Sequence, residues 1–339
     1  MNRVLGRRMT ALLGAVALSL AACSGPRPAP PPEVPPSEVP PPTDAAVASP
    51  PPDPAEVGAN ELGLVPVLMY HRIVPEPASP YDRSPADFRA ELERLAREGY
   101  VPVTAADFVS GRIELPAGAH PVVLTFDDGT ASQFALGPDG QPAPGTAVAI
   151  LLEVARDHPG FTPVATFYVN ADPFEEPGGA RSLRWLHEHG FEIGNHTAGH
   201  ANLGRLGAEQ ARRQIAEGDR LIRQAVPEAA PVTLALPFGV HPDDPELARR
   251  GDSYDYRGVM LVGANPAPSP FAAKFDPLRV PRIRSQGSTG AEAEFGSASW
   301  LDQLPSARYT SDGDPDRISF PRRLDTELAA EFRAKAAPY

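Results

Sequence analysis

Cysteine is almost absent from this 339-residue sequence: Cys23 is the only one, which excludes an internal disulfide framework and a cysteine-rich zinc module. Positive charge is in the minority, with 31 Lys and Arg against 43 Asp and Glu and a formal net charge of −12. That balance argues against a nucleic-acid partner, whose binding rests on Lys and Arg displacing counterions. The apolar run from Ala11 to Ala22 has only about half the length that a membrane span needs. Large apolar side chains are nearly missing from residues 26–56, where 14 of the 31 positions are proline, so that stretch cannot bury a core. What remains has room for one large domain or two modest ones.

The amino end reads as an address. Arg3, Arg7 and Arg8 precede the short apolar run, the pattern of a secretory signal. Leu20-Ala21-Ala22-Cys23 resembles the lipobox of bacterial lipoproteins, which implies a signal peptide over residues 1–22 and an acylated Cys23. Two or three acyl chains there would make a stable membrane anchor. Residues 23–60 then form a proline-rich linker. In polyproline II geometry, at about 3.1 Å per residue, its core could reach roughly 100 Å from a bilayer. The expected location is the outer face of a bacterial cell membrane, or the envelope.

From Leu62 onward short apolar runs alternate with helical periodicity. Val65–Tyr70, Val122–Phe126, Val164–Val169, Phe191–Gly194, Val232–Leu236, Gly258–Val262 and Leu278–Ile283 read as strands. Ser84-Pro85-Ala86-Asp87 is a helix start, and Phe88, Leu92 and Leu95 follow on one face. Val148–Ala155, Arg181–His189 and Ala208–Val226 read as further helices. About seven strands alternating with helices predict an α/β fold with a parallel sheet, open or closed into a barrel. Catalysis in such barrels sits at the carboxyl ends of the strands. His71, Asp127, Asp128 and His196 all follow predicted strand ends.

Two motifs carry chemistry. Asp127-Asp128-Gly129 stands where a buried strand leaves for a loop, and a pair of acids there can face one cavity. His196-Thr197-Ala198-Gly199-His200 spaces two imidazoles at i, i+4, which would place them on one face of a helical turn. Two histidines and a carboxylate suit a zinc-type ion with one open position for water. His120 and His158 beside prolines, His187 and His189 at a helix end, and the acid pairs Glu175-Glu176 and Asp243-Asp244 read as solvated or structural groups. Trp185 is expected to pack on the barrel, and Trp300 is left between core and a sugar groove.

Leu124-Thr125-Phe126-Asp127-Asp128-Gly129, Gly190 to His200 and Leu236-Pro237-Phe238-Gly239 together resemble the polysaccharide deacetylase family, over roughly residues 64–285. The resemblance implies a distorted (β/α) barrel and metal-dependent removal of N-acetyl groups from a polysaccharide. It implies Asp128, His196 and His200 as ligands of one divalent ion, zinc first, with cobalt, nickel and manganese as alternatives. It further implies Asp127 as general base, and the backbone N–H of Phe238 suits an oxyanion donor. Two family features are missing: an arginine where Ala235 stands, and a histidine after His241. Both gaps are similar to the circularly permuted branch that deacetylates poly-N-acetylglucosamine. There Pro66 to Ile73 has a counterpart that makes His71 the general acid. Arg282 is the candidate to orient the base, with Arg279 and Arg284 as neighbours that could compete.

The expected organisation is a deacetylase domain over residues 61–285 and a carboxyl-terminal extension over 286–339, with a short helix near Leu324–Ala334. The expected partners are an acetylated glycan and a membrane, with a monomeric chain. An O-acetyl esterase acting on xylan or peptidoglycan, and a non-catalytic glycan-binding surface lipoprotein, are the alternatives.

Overall fold

The computed structural model describes residues 52–339; the signal-like segment, Cys23 and nearly all of the proline-rich stretch lie outside the described residues. Eight strands form one sheet: β1 (Val67–Tyr70), β2 (Tyr100–Val103), β3 (His120–Asp128), β4 (Thr166–Val169), β5 (Glu192–Asn195), β6 (Thr233–Ala235), β7 (Gly258–Met260) and β8 (Ile283–Arg284). The order is β8-β1-β3-β4-β5-β6-β7, every pairing is parallel, and β2 pairs with the first half of β3.

The sheet curls until its two edges meet. Val280 N–H donates to the Val259 carbonyl at 3.0 Å, and Leu261 N–H donates to the Val280 carbonyl at 2.8 Å. Seven strands thus make a closed but distorted barrel. The distortion follows from strand length: β6 and β7 have three residues each, and β5 meets β6 at the single pair Asn195–Leu234. The sequence reading missed β2. Its Tyr-Val-Pro-Val run contains a proline, which a strand tolerates only where its N–H is not needed.

Alternation along β3 sorts the core into two layers. Val123 faces the barrel interior with Val67, Tyr168, Ala235, Met260 and Val280. Leu124 and Phe126 face outward with Leu68, Tyr70 and Phe167, under the covering helices. One of these, Pro85–Arg97, starts where Ser84 Oγ accepts the Asp87 N–H, and it buries Phe88, Leu92 and Leu95 as expected. By the same alternation Thr125 and Asp127 fall on the interior face of β3.

Residues after β8 return to the amino ends of the strands. Tyr309 N–H donates to the Leu64 carbonyl at 2.8 Å, Ser311 N–H donates to the Ala119 carbonyl at 2.9 Å, and Tyr309, Ile318, Phe320 and Leu328 join the interior core layer. His120, expected in a loop, opens β3 as a buried residue with its Nδ1 2.8 Å from the Tyr309 carbonyl oxygen. The helix expected near Leu324–Ala334 is two 3-10 turns, Arg322–Glu327 and Ala330–Lys335. Between them Leu328 is extended, bridges Ala272 and enters the core, and that contact outweighs local helix propensity. No helix among the described residues is long and apolar enough to cross a membrane.

Candidate active site

Adjacent residues on a strand point to opposite faces, so Asp127 and Asp128 need a device to share one cavity. Asp128 supplies it with a left-handed backbone, φ 77°, at the point where β3 ends. Asp127 keeps the interior direction of β3 and is buried. Its carboxylate receives two parallel hydrogen bonds from Arg282, Nη1 to Oδ1 and Nη2 to Oδ2, each at 2.6 Å. Arg282 is itself fully buried, and it also donates from Nε to the Leu261 carbonyl at 2.7 Å and from Nη1 to Thr125 Oγ1 at 3.1 Å.

Of the three arginines that the sequence leaves open, geometry selects Arg282. Arg279 pairs with Asp276, and Arg284 with Gln286 and Glu292. Arg282 reaches the Asp127 carboxylate from the barrel closure, where Leu261 and Val280 pair. The Ala235 position serves through its backbone, whose carbonyl lies 2.9 Å from His196 Nδ1.

The two histidines of the 196–200 motif do converge, but not on a helical turn. Thr197 and His200 are left-handed, with φ 64° and 49°, and the segment is a loop. Asn195 shapes this loop: its Oδ1 accepts the Thr197 N–H at 2.8 Å, while its Nδ2 donates to the Ile215 carbonyl and to the Tyr256 hydroxyl. A Cβ at Gly218 would sit 2.3 Å from Asn195 Oδ1, so glycine in the helix Ala208–Ala225 makes that approach possible. Asn170 Nδ2 ties the same loop by donating to the carbonyls of His196 and Thr197.

The result is a trio of donors. His196 Nε2 and His200 Nε2 lie 3.5 and 3.4 Å from Asp128 Oδ1, and one ligand atom from each of the three residues falls within 4.8 Å of the others. Donation from His196 Nδ1 to a carbonyl leaves Nε2 with its lone pair facing the trio, as a metal-binding imidazole requires. Two imidazoles and one carboxylate fit a divalent ion of the zinc type, with room left for water.

His71 follows β1 and approaches the same carboxylate, Nε2 to Asp127 Oδ2 at 4.0 Å; His196 Nε2 is also 4.0 Å from that oxygen. Asp127 Oδ2 is therefore shared, at the same distance, by His71 and by His196 of the trio. Gln133 Nε2 donates to the backbone carbonyls of both His71 and Asp127, pinning the two strand ends together. Gln133, Asn170 and Asn195 were not legible as site residues, since each acts through loop backbone that only the fold brings near. Phe238, at φ 60°, is exposed and meets His200 edge to face with ring centroids 4.7 Å apart. Trp185 packs on the outer core, as does Trp300, whose Nε1 donates to the Ala264 carbonyl.

Burial pushes the Asp127 carboxyl up, but the Arg282 guanidinium, then His196 and His71, outweigh it and hold the group well below the usual carboxylate range. Asp128 is also held below the usual carboxylate range: burial raises it, and the adjoining His196 side chain more than offsets that. His71 and His200 are both lowered from the ordinary histidine value, first by burial. With His71 neutral at pH 7, Arg282 is the permanent cation that keeps Asp127 ionised.

The family model for polysaccharide deacetylase matches residues 115–256, which include Asp127, Asp128, both trio histidines and Phe238 but not His71 or Arg282. A chitooligosaccharide deacetylase of Sinorhizobium fredii is 32% identical over 127 residues, covering 38% of this chain and 51% of that protein. The chain spans about half the length of the curated relatives it matches. Among solved structures, the Streptococcus pyogenes deacetylase PplD in complex with acetate aligns with TM-score 0.53 at 20% identity, over 71% of this chain and 97% of that one. IcaB from Ammonifex degensii aligns with TM-score 0.51 at 21% identity, over 70% of this chain and 97% of that one. At these identities the structural matches establish the fold.

Proposed function

The chain carries a polysaccharide deacetylase domain, and on that footing we propose that it hydrolyses N-acetyl groups of an N-acetylglucosamine-type polysaccharide of the cell envelope, releasing acetate. The observation that carries this reading is the placement of Asp127 Oδ2 4.0 Å from both the half-buried His71 and His196 of the three-donor site, with Arg282 clamped on its carboxylate. The name of the Sinorhizobium fredii relative supports the choice of substrate class.

Amide hydrolysis must activate water, stabilise an oxyanion and protonate a poorly leaving amine. Asp128, His196 and His200 would hold a divalent ion, zinc first, which supplies Lewis acidity and eases the deprotonation of water. Asp127 accepts the proton of the attacking water at Oδ2, the oxygen that faces both the trio and His71. The Arg282 fork fixes the direction of that oxygen but also weakens it as a base, so Asp127 orients the water and holds its proton only in passing. The Phe238 N–H donates to the oxygen that gains charge. His71, whose Nε2 lies 4.0 Å from Asp127 Oδ2, takes up the proton that the water gave to Asp127 and delivers it to the sugar nitrogen as the carbon–nitrogen bond breaks; its lowered pKa makes its protonated form a strong donor.

Export and anchoring through Cys23 belong to the same reading and rest on Leu20-Ala21-Ala22-Cys23 and the linker composition.

The test is acetate release from N-acetylglucosamine oligomers, poly-N-acetylglucosamine, peptidoglycan and acetylxylan. Release from an N-acetylated glycan is expected, dependent on added divalent metal. Release from acetylxylan alone would move the reading to an ester hydrolase, and no release from any of them would leave a glycan-binding lipoprotein.

A further inference from the structure

Tyr81 is an exposed aromatic at this cleft that the chemistry above leaves without a role. The residue is 43% exposed, and its ring lies 4.9 Å from the His71 ring between centroids and is tilted 56° to it. The Arg284 guanidinium carbon sits 5.6 Å from the Tyr81 centroid. Among the described residues no side chain hydrogen-bonds the Tyr81 hydroxyl, so the ring is not placed there to satisfy that group.

The loop that presents Tyr81 is rigid by construction. The buried Asp82 carboxylate accepts from Arg72 Nε and Nη2 at 2.8 and 2.7 Å, and from the Ala78 and Ser79 N–H groups at 3.0 Å each. Four hydrogen bonds on one carboxylate fix the turn immediately before Tyr81, so holding the ring out towards solvent costs little further ordering on binding. An aromatic ring left nearly half bare on a fixed loop is a binding platform more readily than a core residue.

Its position selects the ligand. After cleavage the sugar keeps the nitrogen that His71 protonates, so that sugar ring lies on the His71 side of the metal trio. We propose that Tyr81, steadied by Arg284, is a stacking platform for the glucosamine ring whose nitrogen is uncovered, or for its neighbour in the polymer, and so sets affinity for sugar chains. The apolar C–H face of a pyranose covers the Tyr81 ring, and the hydroxyls stay in water. This assignment rests on the deacetylase reading.

The experiment compares wild type, Tyr81→Ala and Tyr81→Phe in their zinc-loaded forms. Two quantities are measured: kcat and KM on the N-acetylglucosamine tetramer, and Kd for the fully deacetylated glucosamine tetramer, which cannot be hydrolysed. For Tyr81→Ala, KM and Kd are expected to rise about tenfold, the size of losing some 50 Å² of apolar contact, while kcat changes less than KM. Tyr81→Phe is expected to match wild type within about twofold, because the hydroxyl makes no contact. Unchanged KM and Kd in Tyr81→Ala would overturn the proposal. So would a fall in kcat alone, which would make Tyr81 a support for the His71 ring. A wild type that binds the glucosamine tetramer but hydrolyses nothing would refute the enzymatic reading while the two Kd values still decide on Tyr81. A wild type that hydrolyses the N-acetylated tetramer but does not bind the glucosamine tetramer would overturn the Tyr81 proposal alone.

Discussion

Two buried carboxylates at opposite ends of the barrel have opposite fates. Asp127, at the carboxyl ends of the strands, faces a buried guanidinium and is held ionised. Glu61, at the amino ends, receives only neutral donors, the Tyr309 hydroxyl at 2.9 Å and the Ser319 N–H at 2.7 Å, with Asp312 nearby. Burial pushes Glu61 up to about 8, and the two hydrogen bonds do not reverse it. Desolvation acts on both groups in the same sense, so the partner decides the charge. The backbone differs in parallel: Asp128, Thr197, His200 and Phe238 all adopt left-handed conformations around Asp127, a local cost of about 1–3 kcal/mol each. One end gathers left-handed residues around an ionised carboxylate; the other closes the core.

The comparison breaks most severely at Arg282. Removing it in Arg282→Met leaves Asp127 buried and uncompensated, with an expected loss of about 3–5 kcal/mol in urea unfolding at pH 7. The double variant Arg282→Met/Asp127→Asn should recover part of that loss, because no charge is then stranded. Asp127→Asn alone is expected to lower turnover by about 10²–10⁴ while zinc content by elemental analysis stays at one equivalent. His196→Ala should instead lose the metal.

At the other end the expected signal is in pH. The Glu61 pKa is raised on folding, so the folded state binds an extra proton between the ordinary value of 4.5 and about 8. The stability this group contributes is therefore complete below pH 4.5 and is lost as pH rises through about 8, by several kcal/mol at most. Glu61→Gln should flatten that slope, read from urea midpoints measured across pH 5–9. Smallest of all, Thr125→Val removes the hydroxyl that accepts from Arg282 Nη1 and donates to the Leu68 carbonyl, with an expected cost of about 1–2 kcal/mol and no change in metal content.

Much of the site was legible because strand chemistry is periodic. The run Val123-Leu124-Thr125-Phe126 announces a buried strand with Asp127 on its interior face, and the histidine pair follows the strand Glu192–Asn195. What periodicity cannot give is backbone handedness. The i, i+4 spacing of His196 and His200 suggested a helical turn, whereas two left-handed residues do the work. Nor could it separate Arg282 from Arg284. The two share a strand face, but Arg282 reaches Asp127 inside the barrel, and one step further along Arg284 reaches Tyr81 at its mouth. Only the closure between residues 259–263 and 277–283 fixes which is which. The buried role of His120 was hidden for a similar reason, since its partner Tyr309 lies 189 residues away.

The most direct test of the account is a crystal structure of the zinc-soaked protein with anomalous scattering measured at the zinc edge. One peak is expected, about 2.0–2.2 Å from Asp128 Oδ1, His196 Nε2 and His200 Nε2, with Asp127 outside the coordination sphere. A peak elsewhere, or no peak in a protein that still releases acetate from its substrate, would contradict it.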